Sequence, residues 1–260
     1  MQTARVHAVR QNSSEESSSH NLLLARLSSE ERGRVAAHLT FKHFEPGRVL
    51  HEPGEFILGP CFIYDGAVSL LAVLPDGKSQ YTAIVGREGA LGLGTGLGAA
   101  TAFCRAVVLA PASVGIMSAE QFARIAQTST VLQSLIASYS DVLFAQSQQA
   151  LVCNSAHYLQ ERLCRWLLHV RDTVGSDTLH LTQQFLSQIV GVQRTSVNLI
   201  LGSLQSDGLL FVQRGRIHLR DVERLQRLSC CCYAAARRLM KATSHRLSEY
   251  PRHETVFADS

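Results

Sequence analysis

Hydrophobic positions change their spacing along the chain, and the first part has the texture of a sheet. Between about residues 40 and 117, short apolar runs such as 67–73 and 106–109 are separated by turn sequences such as Asp65-Gly66 and Asp76-Gly77. Regular turn signals without a helical period indicate short antiparallel strands joined by tight turns. The pattern predicts an antiparallel sandwich or roll (jelly-roll) domain over residues 21–130.

A helical period follows, and residues 131–156 predict one long helix. Its apolar stripe alternates steps of four and three residues, which is typical of a helix that pairs with another helix. We therefore predict a dimerisation helix; packing of the same stripe on the chain's own roll remains the alternative. The predicted interface residues are Leu132, Ile136, Tyr139, Leu143, Gln146, Ala150 and Cys153.

Residues 182–204 carry the signals of two short helices joined by a sharp turn. Thr182 can cap the first helix, and Gly191 can adopt the left-handed conformation that the turn needs. Apolar residues then recur with helical spacing in the second helix, at Val197, Ile200, Leu201 and Leu204. This combination predicts a helix-turn-helix.

The other face of the second helix is suited to a DNA groove. Arg194 and Thr195 lie in its first turn, where a recognition helix reaches base edges, and Ser196 can donate to a phosphate. After the helix, two short apolar runs flank Arg214-Gly215 and predict a β-wing near the DNA backbone. The predicted DNA-contacting residues are Thr182, Arg194, Thr195, Ser196, Asn198, Leu199, Arg214 and Arg216. The winged helix-turn-helix domain is expected over residues 157–232.

Composition agrees with an intracellular DNA-binding protein. The 260 residues are 46% hydrophobic, which excludes wholesale disorder, and 25 basic against 21 acidic side chains give a net charge of +4. Seven cysteines, an odd number, favour reduced thiols rather than a disulfide framework. With no secretory signal and no long apolar stretch, we expect a cytoplasmic protein without a membrane segment. The polar residues 1–20 predict a disordered tail, and residues 233–260 a C-terminal extension.

From residue 22 to 228 the chain resembles the Crp/Fnr family of bacterial transcription regulators, which includes cyclic-AMP receptor-like proteins. The resemblance is closest over Ile189-Val190-Gly191-Val192-Gln193-Arg194-Thr195-Ser196-Val197, with support from Pro53-Gly54-Glu55 and Phe62-Ile63-Tyr64-Asp65-Gly66. It implies an α+β fold with a cyclic-nucleotide-binding-like β-roll, a long dimerisation helix and a C-terminal winged helix-turn-helix. It further implies a homodimer that reads a near-palindromic site in double-stranded DNA, with RNA polymerase as a further candidate partner.

The resemblance also assigns roles to single residues. Arg194 matches the base-reading arginine, and Thr195 matches its frequently acidic neighbour. Leu199 stands where cyclic-AMP-responsive members place a second arginine, so the operator sequence should differ.

The resemblance locates the effector cassette but not the effector. Aligning Gly89-Ala90-Leu91-Gly92 with the family's Gly-Glu-Leu-Gly places Ala90 at the glutamate that holds ribose. Continued without a gap, the alignment places Ala100 at the phosphate-binding arginine and Thr101 at its serine neighbour. A buried phosphate without its guanidinium is not compensated, so we expect no cyclic-AMP binding and leave the effector unknown.

No cofactor or metal is expected. The chain has no cysteine before Cys61, which excludes the family's N-terminal iron–sulfur ligands, and His43 and His51 are interpreted as structural. Cys153 and His157 lie one helical turn apart, but two ligands make a weak metal argument. The run Cys230-Cys231-Cys232 has no paired second cluster at zinc spacing. A redox switch formed by Cys153 and its twin in a dimer is a minor alternative.

Catalysis has no support in the sequence. No His-x-His metal motif occurs, and Gly77-Lys78-Ser79 lacks the first glycine of a phosphate-binding loop. We therefore expect a DNA-binding regulator rather than an enzyme. The alternative is a ligand-binding β-roll module that acts through protein partners instead of DNA.

Overall fold

Strands dominate the first half of the molecule and helices the second. The structure is a computed structural model that describes residues 21–99 and 101–238. Its strands are β1 (Thr40–Phe44), β2 (Val49–His51), β3 (Cys61–Val73), β4 (Ser79–Val85), β5 (Ala90–Leu91), β6 (Arg105–Ile116), β7 (Thr178–Leu179), β8 (Leu210–Gln213) and β9 (Arg216–Leu219). Its α-helices are α1 (Ser29–Ala36), α2 (Ala119–Thr128), α3 (Thr130–Ala156), α4 (Leu159–Val174), α5 (Gln183–Val190), α6 (Arg194–Ser206) and α7 (Val222–Leu228). The tail at residues 1–20 and the part of the extension beyond residue 238 lie outside the described residues.

The N-terminal sheet is built around two long strands, β3 and β6. The strand order is β1-β6-β3-β4, with β2 also on β6 and β5 also on β3, and every pairing is antiparallel. The β3–β6 register shifts repeatedly between Ile63 and Val68. Such bulges increase local twist, which lets long strands curl into a roll. The predicted β-roll is therefore confirmed.

The long helix α3 packs its predicted stripe against its own chain. Leu132, Ile136 and Tyr139 belong to the core of the roll, and Leu143 packs on that core. Gln146 is buried and accepts a hydrogen bond from the Ile84 backbone N–H at 3.1 Å. Ala150 and Cys153 are also buried. Apart from half-buried Leu143, these side chains are covered within one chain, which favours the alternative of packing on the roll. The assignment of this stripe to a dimer interface stays a prediction.

The C-terminal domain is a helix-turn-helix with a wing. Thr182 caps α5 as predicted, its Oγ1 accepting from the Phe185 backbone N–H at 3.1 Å. Gly191 ends α5 with φ +68°, a conformation that costs glycine little. Strands β8 and β9 pair antiparallel around the turn at Gly215, which also has positive φ. The sequence signals were strong here because caps and glycine turns act locally.

The C-terminal domain and the β-roll share one hydrophobic core. Leu71 and Ile84 of the roll join Trp166 and Leu167 of α4 and Leu186 of α5 in a single buried cluster. Polar contacts cross the same boundary: the Ser79 hydroxyl donates to the Gln188 carbonyl at 3.3 Å. The helix-turn-helix is therefore seated directly on strand β4.

The turn between α5 and α6 provides a test of this packing. An alanine at position 191 would hold a strained positive φ, and its Cβ would overlap Oε1 of Gln80 on β4. At Gly202 in α6, by contrast, nothing lies within 4 Å of an added Cβ. Gly191→Ala should lower the free energy of unfolding by about 1–2 kcal/mol because left-handed backbone is costly for alanine. Gly202→Ala should raise it by up to about 1 kcal/mol through helix propensity.

Urea denaturation followed by circular dichroism measures both changes. Equal effects of the two substitutions would contradict the assigned turn geometry.

Candidate nucleic-acid interface

The N-terminal half of α6 presents the side chains that were predicted to read DNA. Arg194, Thr195 and Leu199 are exposed, and Leu199 is 77% accessible although it is apolar. Ser196 and Asn198 are half-buried, and Oδ1 of Asn198 is enclosed without a hydrogen-bond partner. Val197 and Leu201 anchor the opposite face in the core. The helix thus has one buried and one accessible face.

No side chain of the described residues caps the exposed first turn of α6. Its N-cap residue, Gln193, makes no side-chain capping bond. Helix N-termini leave backbone N–H groups without intrahelical partners, and these groups attract anions. Thr182 caps α5 and is also exposed.

The wing adds positive charge. Arg214 and Arg216 are exposed on either side of the Gly215 turn. Among the described residues, Arg194, Arg214 and Arg216 form no ion pair. Other arginines of the domain are already engaged, since Arg220 stacks on Phe211 at 5.1 Å and Arg224 pairs with Asp221. Three guanidinium groups of this face therefore remain accessible to an anionic ligand.

The effector cassette is closely packed. Ala90, in β5, is buried and pairs with Phe62, and a Cβ at the preceding Gly89 would overlap the hydroxyl of Tyr139 from α3. Thr101 is exposed, and Ala100 lies outside the described residues. The nearby strand residue Arg105 is held by Glu52, with Nε 2.8 Å from a carboxylate oxygen. Neither Ala90 nor Thr101 supplies the charged group that a cyclic nucleotide needs.

A second face of α3 points away from its own chain. Its exposed positions recur in steps of four and three residues, and three large apolar side chains lie on or beside this line. Phe144, Leu151 and Val152 are 64%, 71% and 54% accessible. The positions on this line are Ala137, Asp141, Phe144, Gln148, Leu151 and Ser155, and Ser140, Val152 and Ala156 are exposed beside it. This outer stripe was missed in the sequence because a stronger apolar stripe runs beside it.

The structure also joins two groups of residues that the sequence separates. Cys153 and His157, at the end of α3, meet Cys230 and Cys232, which follow α7. A hydrogen bond from Cys230 lowers the pKa of Cys153, and Arg165 acts in the same direction. Cys153 is buried against cysteines of its own chain, so it cannot pair with a twin across a dimer. Contacts over 77 positions leave no signal in a single sequence.

Buried polar groups lie between the roll and α4. The Tyr81 hydroxyl and Nδ1 of His169 are 3.2 Å apart, and the Arg165 guanidinium lies 5.4 Å from the Tyr81 ring centre. Burial, with Arg165 adding to it, lowers the pKa of His169 to about 3. This histidine is therefore neutral near neutral pH and acts as a packing and hydrogen-bonding group.

Comparison with known proteins matches the two domains to two families. Residues 41–129 match the cyclic nucleotide-binding domain, and residues 161–228 match the Crp-like helix-turn-helix domain. No curated protein matches the sequence significantly. Within the described part of the chain, no helix has the length and apolar character that a membrane span requires.

Solved structures share the whole arrangement. FixK2 from Bradyrhizobium japonicum superposes with a TM-score of 0.63 at 17% identity, covering 74% of this chain and 98% of that chain. The c-di-GMP responsive global regulator CLP of Xanthomonas campestris gives a TM-score of 0.61 at 18% identity, covering 74% and 99%. A CRP-family transcriptional regulator from Thermus thermophilus gives 0.62 at 20% identity, covering 72% and 96%. At these identities the likeness shows the fold.

A β-roll of the cyclic nucleotide-binding type followed by a Crp-like helix-turn-helix defines a class of DNA-binding transcription regulators. The chain belongs to the Crp/Fnr family of that class. The resemblance seen in the sequence and the α+β fold that it implied are both confirmed.

Proposed function

We propose that the protein is a homodimeric, sequence-specific transcription regulator that reads a near-palindromic site and responds to a signal other than cyclic AMP. The observation that carries the proposal is the open, exposed N-terminus of α6 with Arg194 and Thr195, flanked by Arg214 and Arg216 of the wing. Arginine can bond guanine O6 and N7 together, and wing arginines suit phosphates. The function is recognition rather than catalysis.

Location and partners follow from the same proposal. Double-stranded DNA is the target, and the free cysteines favour a reducing cytoplasm. Contact with RNA polymerase stays a prediction.

The outer stripe of α3 supports the homodimer. Covering the exposed phenylalanine, leucine and valine side chains of this face with a second copy removes apolar surface from water, which stabilises the dimer. Two copies paired along α3 would present two α6 helices, and half-sites are read when recognition helices lie about 34–36 Å apart. The proposed dimer seam therefore runs along Phe144 and Leu151 instead of along the buried stripe.

The cassette supports a signal other than cyclic AMP. The nucleotide's phosphate carries a full negative charge, and burying it without a cation is strongly unfavourable. Ala90 offers no carboxylate for ribose, and Arg105 is already paired with Glu52.

Substitution of the proposed base-reading arginine tests the DNA interface. Arg194→Ala should remove preference for the operator, a loss of about 1–3 kcal/mol in discrimination, while weak salt-dependent binding remains. The operator is first selected from random duplexes by the wild-type protein, and affinities for selected and random duplexes are then compared by fluorescence anisotropy.

Arg124→Ala is the matched control, because it removes an exposed arginine from the roll, where Arg124 pairs with Glu120. It should leave both affinities unchanged. An equal loss on selected and random DNA with Arg194→Ala would contradict the base-reading role.

Charge on the outer stripe tests the seam. The double variant Phe144→Glu, Leu151→Glu should have the mass of one chain by light scattering, because pairing would bury four carboxylates. Phe103→Glu changes a side chain that is 90% exposed in the roll and should keep the mass of two chains. A dimeric double variant with unchanged circular dichroism would place the seam elsewhere.

Calorimetry tests the cassette. Titration of micromolar protein with cyclic AMP should give only the heat of dilution, as should 5′-AMP. Saturable heat with cyclic AMP alone would show that another group supplies the missing charge, and it would overturn this part of the proposal.

A further inference from the structure

Three cysteines and one histidine converge where the long helix meets the DNA-binding domain. One ligand atom from each of Cys153, His157, Cys230 and Cys232 lies within 4.8 Å of the other three. Cys153 Sγ is 3.5 Å from Cys230 Sγ, and Cys232 Sγ is 3.6 Å from Nδ1 of His157. The three cysteines are buried, and His157 is half-buried.

Two of the six separations are close to the edges of a zinc tetrahedron, and all six are at most 4.8 Å. Zinc lies about 2.3 Å from thiolate sulfur and about 2.0–2.1 Å from imidazole nitrogen. Tetrahedral angles then place sulfur atoms about 3.8 Å apart and sulfur and nitrogen about 3.6 Å apart. The cluster therefore has the ligand types and the ligand number of a Cys₃His site, with its ligand atoms close enough to converge on one ion.

Unneutralised positive charge beside the cluster gives independent support. Arg165 is 3% exposed, and its Nε has no hydrogen-bond partner. Arg162 is half-buried; its Nη atoms donate to Asn154 and to the Val190 carbonyl, and its Nε has no partner among the described residues. Among the described residues, neither arginine forms an ion pair with a carboxylate. Buried guanidinium groups are costly unless a negative group lies nearby.

We propose that Cys153, His157, Cys230 and Cys232 bind one Zn²⁺ ion. Binding converts three thiols to thiolates and releases three protons to solvent, with no change of oxidation state. The centre then carries a net charge of −1, which compensates the nearby arginines. This replaces the expectation from sequence that the chain has no metal site.

Two neighbouring side chains contact the proposed ligands without binding the metal. Nε2 of Gln149 donates to Cys232 Sγ at 3.1 Å, and Cys231 Sγ lies 3.6 Å from Nε2 of His157. Contacts of this kind orient metal ligands. The contact between Cys231 and Nε2 of His157 leaves Nδ1 of that histidine to bind the metal. Four protein ligands leave no open position, so the site is structural rather than catalytic.

The position of the site gives it a mechanical role. Cys153 and His157 lie at the end of α3, and His157 is one of two residues between α3 and α4. Cys230 and Cys232 follow α7, at the far end of the DNA-binding domain. The metal would therefore clamp both ends of that domain to the helix that carries the outer stripe.

Metal content of the full-length protein tests the proposal. Protein expressed with added zinc and purified under reducing conditions should contain one zinc per chain by mass spectrometry, with three sulfur neighbours and one nitrogen neighbour by X-ray absorption. Cobalt(II) added to the metal-free protein should give the visible bands of a tetrahedral thiolate site, and zinc should abolish them.

Variants separate the proposed ligands from a cysteine outside the cluster. Cys230→Ser and Cys232→Ser should each lower zinc content below half, whereas Cys104→Ser, at a half-buried cysteine of the roll, should keep one zinc per chain. If the ligand variants fail to fold, the cobalt spectrum of the wild-type protein decides alone.

Other outcomes overturn the proposal. They are an absence of both zinc and the cobalt spectrum, iron with acid-labile sulfide, or a Cys153–Cys230 disulfide in the reduced preparation. A protein that holds zinc but ignores all DNA would refute the proposed function and leave the metal site intact.

Discussion

The burial of one stripe of α3 against its own chain constrains the rest of the molecule. Tyr139 closes over the cassette at Gly89, and Gln146 bonds both backbone groups of Ile84 in β4. An amide that satisfies two buried backbone groups fixes the helix in register, since leaving either unpaired would cost about 1–3 kcal/mol. With that face occupied, the outer stripe is the exposed apolar face of α3 among the described residues, and it lies on the same rigid helix as Tyr139 and Gln146.

Strand β4 is the second shared element, because it contacts α3 on one side and the helix-turn-helix on the other. Ser79 bonds the end of α5, and Tyr81 contacts His169 of α4. A ligand that moved β4 would therefore act on the seam and on the DNA-binding domain together. When two domains pack on one shared strand, a ligand that binds one arrangement of that strand more tightly shifts the population of both domains toward that arrangement.

The sequence predicted those features whose causes are local. The cap at Thr182, the left-handed turn at Gly191 and the tight turn of the wing at Gly215 each depend on a few neighbouring residues, and all three are present. The α3 stripe shows the limit of such reasoning. A heptad pattern reports that a helix face is buried, and it does not report whether the partner is a second helix or the chain's own sheet. The Cys₃His cluster was not predicted for a related reason. Cys153 and His157 are far in sequence from Cys230 and Cys232, and only the fold brings the two pairs together.

The outer stripe and the cysteine cluster meet at the same end of α3, and this joint location links the two proposals. Leu151 and Val152 immediately precede Cys153, so opposite faces of one turn carry the seam and the proposed metal ligands. Rotation of α3 within a dimer would displace Cys153 relative to Cys230. A metal–thiolate centre resists such displacement because tetrahedral geometry tolerates little change in ligand separation. With the metal bound, rotation of α3 at the seam would move the DNA-binding domain as a rigid body. Without the metal, the same rotation could be taken up by bending of the chain after Ala156.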